Sequence, residues 1–261
     1  MKKLVIGNLK MNLLSPAERE RYLKQFKNEL KGKRLKNVEI ILCPPFVHLE
    51  NFAENLKGKI TKIGAQNIFW ENKGSCTGEV SAAMAKNFGA EYAIIGHSER
   101  RKYFGETNET INLKLKSALR AGLAPIFCVG ETKEEKGMDM TMDAIVRQIQ
   151  EGLKDISRVL IEKIAIVYEP VWAVGSDVIP TSNEIMGAKL LIRKILTEKY
   201  GAKYVEKVRV LYGGSVNAKW AKQVCVDPEM DGVLVGRESL IPHEFIKIAE
   251  IINDANHANR Y

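Results

Sequence analysis

The chain has 261 residues, with 40 Lys+Arg against 32 Asp+Glu and a formal net charge of +8. Its 45% hydrophobic and 28% charged residues are the composition of a folded globular protein and exclude a disordered, collagenous or fibrous chain. Aromatic residues are only 7%, and the basic segments 24–36, 57–62 and 194–207 alternate with apolar positions at helical or turn spacing, so these read as solvated faces, no nucleic-acid partner is expected, and the positive field suits a small anion.

From the N-terminus, the apolar run 4–6 stops at Gly7 and Asn8, too early for the apolar core of an export signal. Further short aliphatic or β-branched runs follow at 38–42, 60–65, 92–95, 124–128, 163–168, 208–211 and 232–235, giving eight predicted strands. Between them lie amphipathic stretches with apolar residues at helical spacing: Tyr22, Phe26 and Leu30 early, Ile111, Leu115 and Leu119 midway, Leu190, Ile195 and Leu196 late. Strands that alternate with helices pair in parallel through right-handed crossovers, and their near-continuous apolar character suits a covered sheet. Eight such units with no linker-like shift in composition predict an α/β fold, a single (β/α)8 barrel domain over 1–261. The alternative, an open doubly wound sheet, wants G-x-G-x-x-G after the first strand, where this chain has only Gly7 and then Asn8. The polar tail 253–261 is expected to fray.

No run approaches the roughly 18 apolar residues that cross a bilayer, so no membrane span is expected. Cys43, Cys76, Cys128 and Cys225 form no C-x-x-C pair and no metal-like spacing with His48, His97, His243 or His257. Reduced thiols, a cytoplasmic setting and no metal are the expectation.

Barrels of this kind build their sites on the C-terminal rim, so the residues just beyond the predicted strands come first. Lys10 follows the first strand within Gly7-Asn8-Leu9-Lys10-Met11-Asn12 and would set a fixed cation before an anion, although taken alone in so lysine-rich a chain the solvated loop lysine is the stronger reading. His97 lies between a strand and a helix in Gly96-His97-Ser98-Glu99-Arg100-Arg101, where the positive helix end favours a neutral imidazole that donates to a carbonyl. The competing reading, a mere helix cap, is weakened because Ser98 supplies the cap chemistry. Glu169 ends the sixth strand in apolar surroundings, with Pro170 behind it, and is a candidate general base. The stretch that follows reads as a lid, stiffened by Pro170, wedged by Trp172 and freed at Gly175; an ordinary loop with an incidental glutamate is the plain alternative. Gly213, Gly214 and Ser215 after the seventh strand, and Gly236 and Arg237 after the eighth, place backbone amides ahead of helical turns, a phosphate cradle or else two tight turns.

Taken together, Gly-Asn-x-Lys-Met-Asn, Gly-His-Ser-Glu-Arg-Arg, Tyr-Glu-Pro-Val-Trp-Ala and Tyr-Gly-Gly-Ser-Val, in this order from Gly7 to about Leu240, resemble the triosephosphate isomerase family. The resemblance implies a TIM barrel that interconverts dihydroxyacetone phosphate and glyceraldehyde 3-phosphate, and this family is itself a standing example of the acid, base and lid devices described. It implies Glu169 as base, His97 as electrophile and proton shuttle, Lys10 with Asn8 holding substrate, and backbone amides of Gly175, Ser215 and the Gly236-Arg237 loop holding phosphate. It implies no metal or organic cofactor. A homodimer is implied through the loop 72–79, bounded by Asn72 and Glu79, with Thr77 next to the partner subunit's Lys10 and His97.

Three positions depart from the family pattern. Leu9 replaces a tryptophan, a change of packing. The lid reads Gly175-Ser176-Asp177 in place of Gly-Thr-Gly, which adds a negative charge near an anionic substrate. Gly236-Arg237 replaces Gly-Gly, so arginine is strained if the position needs a positive φ; the expectation is that Arg237 keeps its amide contact and turns its guanidinium outward. A different phosphosugar barrel such as an aldolase would want a Schiff-base lysine inside a strand, and those interiors hold almost none. A barrel kept only as a binding module would be favoured by loss of His97 or Glu169, and both are present.

Overall fold

The computed structural model describes residues 1–56 and 60–258, so part of the basic segment 57–62 and the end of the polar tail lie outside the described residues. Eight strands, β1 (Lys3–Asn8), β2 (Val38–Cys43), β3 (Thr61–Ala65), β4 (Tyr92–Ile95), β5 (Ala124–Val129), β6 (Ala165–Tyr168), β7 (Val210–Tyr212) and β8 (Gly232–Val235), close into a barrel in chain order. All neighbours run parallel, and the barrel closes where Leu4 to Gly7 of β1 pair with Gly232 to Val235 of β8. Gly232 is obligatory at that seam: its φ is +147°, and a Cβ there would lie 2.0 Å from the Leu4 carbonyl oxygen.

Alternation along each strand divides the core into two layers. Leu4, Ile6, Ile41, Ile94, Ile126 and Leu211 are among the residues that fill the barrel interior, whereas Val5, Ile40, Leu42, Ile95, Phe127 and Val210 face the surrounding helices. Buried helical faces complete the outer layer: Tyr22, Leu23 and Phe26 from Pro16–Leu30, and Ile111, Leu115 and Ala118 from Asn108–Arg120. The first of these helices starts where Ser15 accepts from the Glu18 amide and Pro16 occupies the first turn. Leu9 is fully buried within this outer core.

The differences from the sequence-based expectations are local. Lys163 belongs to the 3-10 turn Ile161–Lys163 and Val208 precedes β7, because pairing of β6 and β7 begins only at Ile166 and Val210. Leu190 is 61% exposed; the buried face of Ser182–Tyr200 is Ile185, Ala188, Ile192, Ile195, Leu196 and Tyr200. Asn253 does not fray. It is buried within the helix Pro242–Ala258, where its side-chain oxygen accepts from the Asn37 amide at 2.9 Å and its carbonyl accepts from the Asn37 side chain at 3.0 Å. No helix of the described residues is long and apolar enough to cross a membrane.

Candidate active site

The C-terminal ends of β1, β4, β6, β7 and β8 open on one cleft of about 210 Å3, lined by Asn8, Lys10, His97, Glu169, Gly175, Ser215, Gly236 and Arg237. All the residues expected from sequence to form the site therefore meet in a single cavity.

Beyond β1, Lys10 adopts φ 51°, a left-handed conformation that lysine takes at a cost of roughly 1–3 kcal/mol. Three contacts hold it. Its amide donates to Asn8 Oδ1 at 3.1 Å, its carbonyl accepts from Gln66 Nε2 at 2.9 Å, and its Nζ pairs with Glu99 Oε1 at 2.6 Å. Gln66 also donates to the Cys43 carbonyl at 2.8 Å, which ties the lysine loop to the end of β2.

Beyond β4, the cap of the helix Ser98–Phe104 is His97 and not Ser98. His97 Nδ1 accepts from the Glu99 amide at 3.3 Å, so the proton of the neutral ring sits on Nε2. That nitrogen lies 3.1 Å from Glu169 Oε1. Ser98, relieved of capping, donates its hydroxyl to Glu169 Oε1 at 3.0 Å and its amide to Oε2 at 2.9 Å. The glutamate is thus parked, almost fully buried, against the start of a helix that favours its charge.

Glu169 itself is placed by close backbone packing. Its amide donates to the Val129 carbonyl at 2.7 Å, and a Cβ on Gly130 would fall 2.1 Å from the Glu169 carbonyl oxygen. Pro170 then leads into the 3-10 turn Val171–Ala173, where Trp172 Nε1 donates to Glu131 Oε1 at 2.7 Å. Tyr168 Oη donates to the same oxygen at 3.2 Å; burial, aided by the Glu131 charge, pushes the Tyr168 phenol far above its ordinary range. Glu131 is fully buried and anchors the start of the loop after β6, a role whose only sequence signal is its position two residues beyond β5.

The tip of the loop after β6 is ordered by its own contacts. Gly175 has φ 69°, and Ser176 Oγ accepts from the Val178 amide at 3.0 Å, which leaves Asp177 exposed on the turn. At the start of that loop, the Ala173 carbonyl accepts from the Ser215 amide at 3.2 Å and from Ser215 Oγ at 2.8 Å. After β8, Arg237 opens the 3-10 turn Arg237–Leu240 on the right-handed side of the backbone map, so the strain considered for it does not arise. Arg237 is exposed, and the turn is fixed by Ser239, whose hydroxyl donates to the Asn8 carbonyl at 3.1 Å. All four cysteines are free thiols.

A closed (β/α)8 barrel that gathers a carboxylate, an imidazole, an ammonium and loop amides on its C-terminal rim defines the class: a barrel with a rim site suited to a small anion. The triosephosphate isomerase family model matches residues 3–252. Triosephosphate isomerase of Dictyoglomus thermophilum is 46% identical over 252 residues, covering 95% of this chain and 99% of that protein. The enzyme of Synechocystis is 41% identical over 249 residues, with 95% and 98% covered. The crystal structure of triosephosphate isomerase from Bartonella henselae superposes with a TM-score of 0.85 at 31% identity, over 96% of this chain and 99% of that one. The chain belongs to the triosephosphate isomerase family.

Proposed function

We propose that the rim cleft interconverts dihydroxyacetone phosphate and D-glyceraldehyde 3-phosphate through an enediolate, with Glu169 as base, His97 as electrophile and Lys10 as the substrate-holding cation. The observation that carries this reading is the meeting of Glu169 Oε1 with the protonated His97 Nε2 at 3.1 Å, beside Lys10 and above the glycine loops after β7 and β8. Substrate displaces that contact. The Nε2 proton turns to the substrate carbonyl oxygen, and the carboxylate leaves Ser98 for a proton on the neighbouring carbon. Removal of that proton pushes its electron pair toward the carbonyl oxygen, giving the enediolate. His97 moves a proton from the hydroxyl oxygen of the neighbouring carbon to the former carbonyl oxygen, and Glu169 returns its proton to the other carbon, which completes the isomerisation.

The phosphate is held by backbone amides of Gly175, Ser215, Gly236 and Arg237. The Ser215 amide is occupied by the Ala173 carbonyl, so it reaches phosphate only when the loop after β6 shifts, which couples loop movement to phosphate capture. A closed lid also keeps water from the enediolate, which would otherwise eliminate phosphate. Glu169→Asp withdraws the base by one methylene, and a misplacement near 1 Å costs about a hundredfold. A coupled isomerase assay is therefore expected to show a steep fall in kcat with KM little changed. Unchanged kcat would remove Glu169 from the role.

The same reading assigns a homodimer. The loop 72–79 stands exposed from the barrel, its base closed by the Phe69 amide on the Val80 carbonyl at 2.8 Å. Apolar Met11, Leu14, Val47 and Phe104 lie 89%, 85%, 82% and 66% exposed in the isolated chain, a surface suited to a second copy. Sedimentation at micromolar concentration is expected to return twice the chain mass. A cytoplasmic setting fits the four free thiols.

A further inference from the structure

Two residues that depart from the family pattern, Asp177 on the lid tip and Arg237 on the phosphate loop, line the same cleft with opposite charges. Both side chains are exposed, and among the described residues neither has a hydrogen-bond or ion-pair partner. Their mountings differ. Arg237 begins a turn tied into the barrel through Ser239, whereas Asp177 rides on a tip that hinges at exposed Gly175. We propose that Asp177 and Arg237 form an ion pair when the lid closes over bound phosphate, latching the lid and cancelling the charge each would otherwise bring to the anion.

Other partners are already committed or badly placed. Lys10 is paired with Glu99, and Glu169 is held by Ser98 and His97. Glu238 lines the cleft, but it is the immediate neighbour of Arg237 in the same turn, and adjacent side chains on a helical turn do not face one another. A lone carboxylate on a lid that closes over a phosphate is repulsive in a site from which water is excluded. The Arg237 guanidinium, in the same cleft, can donate to that carboxylate with one edge while its own backbone amide serves the phosphate, and its planar fork favours a two-point contact. The inference rests on the isomerase reading of the cleft, since closure over phosphate is what brings the two residues together.

The test is a double-mutant cycle of Asp177→Asn and Arg237→Met, read as kcat/KM at low and high salt and as the change in lid tryptophan fluorescence on titration with inorganic phosphate. Arg237→Met is expected to lower kcat/KM about tenfold, with a coupling between the two positions of at least about fivefold that shrinks as salt rises. The sign of the second substitution carries the argument. Asp177→Asn lowers kcat/KM in the parent, where it breaks the latch, and raises it in Arg237→Met, where it removes an unpaired anion. The exchange Asp177→Arg with Arg237→Asp should recover much of what Arg237→Asp loses alone. Additive effects, in turnover and in the phosphate titration alike, overturn the pair. A parent chain that turns over neither triose phosphate overturns the reading of the cleft instead, and the phosphate titration then still decides the pair.

Discussion

Lys114 and Glu106 form an ion pair whose side chains are only 3% and 5% exposed. Lys114 Nζ also donates to Asn67 Oδ1 at 2.7 Å, and Arg100 Nε reaches the same Glu106 oxygen at 2.5 Å. Among the described residues, Glu106 Oε2 has no hydrogen-bond partner. Burial works to raise the Glu106 carboxyl, but Lys114 and Arg100 outweigh it and hold the group below its ordinary range. Lys114→Met keeps the length and removes the cation, leaving a buried carboxylate with Arg100 alone. Breaking one side of a buried pair costs about 3–5 kcal/mol. At about 2–4 °C per kcal/mol for a chain of this size, the midpoint of thermal unfolding falls by roughly 6–20 °C. Lys114→Met with Glu106→Leu removes both charges and should recover most of that loss, because Arg100 keeps its stacking over Phe104 at 4.7 Å. A carboxylate depressed in the folded state adds stability above its unfolded pKa and loses it as pH falls through the lower, folded value. The parent should therefore hold its midpoint to more acid pH than Lys114→Met. Additive losses in the double variant, or identical acid limits, would refute the reasoning.

Two substitutions probe how the rim is held. Gly130→Ala sets a Cβ 2.1 Å from the Glu169 carbonyl oxygen, a backbone neighbour that cannot give way cheaply; a loss of about 1–3 kcal/mol in denaturant unfolding and at least a tenfold fall in kcat are expected. Gln66→Leu removes the donor to the Lys10 and Cys43 carbonyls and frees a lysine held at φ 51°. On the proposed role of Lys10, which binds rather than reacts, KM in steady-state assays should rise more than kcat falls.

The barrel was legible because parallel strands covered on both faces read as uninterrupted apolar runs, and β4 and β8 coincide with the runs 92–95 and 232–235 to the residue. Strand ends elsewhere shifted where pairing, not composition, sets the limit, as at Lys163 and Val208. The candidate site residues on short loops, His97 and Glu169 among them, stood out by type and position. The supporting contacts did not, because they join distant segments: Gln66 to Lys10, Ser98 to Glu169 and Glu131 to Trp172 depend on folding. Lys114 inverts the general rule for this lysine-rich chain. Helical spacing and charge suggest a solvated side chain, and only the carboxylate of Glu106, eight positions earlier, shows why it is buried.

The central claim is that Glu169 moves a carbon-bound proton within this cleft. Turnover of dihydroxyacetone phosphate in D2O, followed by proton NMR for the parent and Glu169→Gln, tests it most directly. The account predicts that the parent forms glyceraldehyde 3-phosphate and places solvent deuterium on the reacting carbon, while Glu169→Gln, whose amide accepts no proton at neutral pH, does neither at a comparable rate. Undiminished turnover by Glu169→Gln would contradict the account.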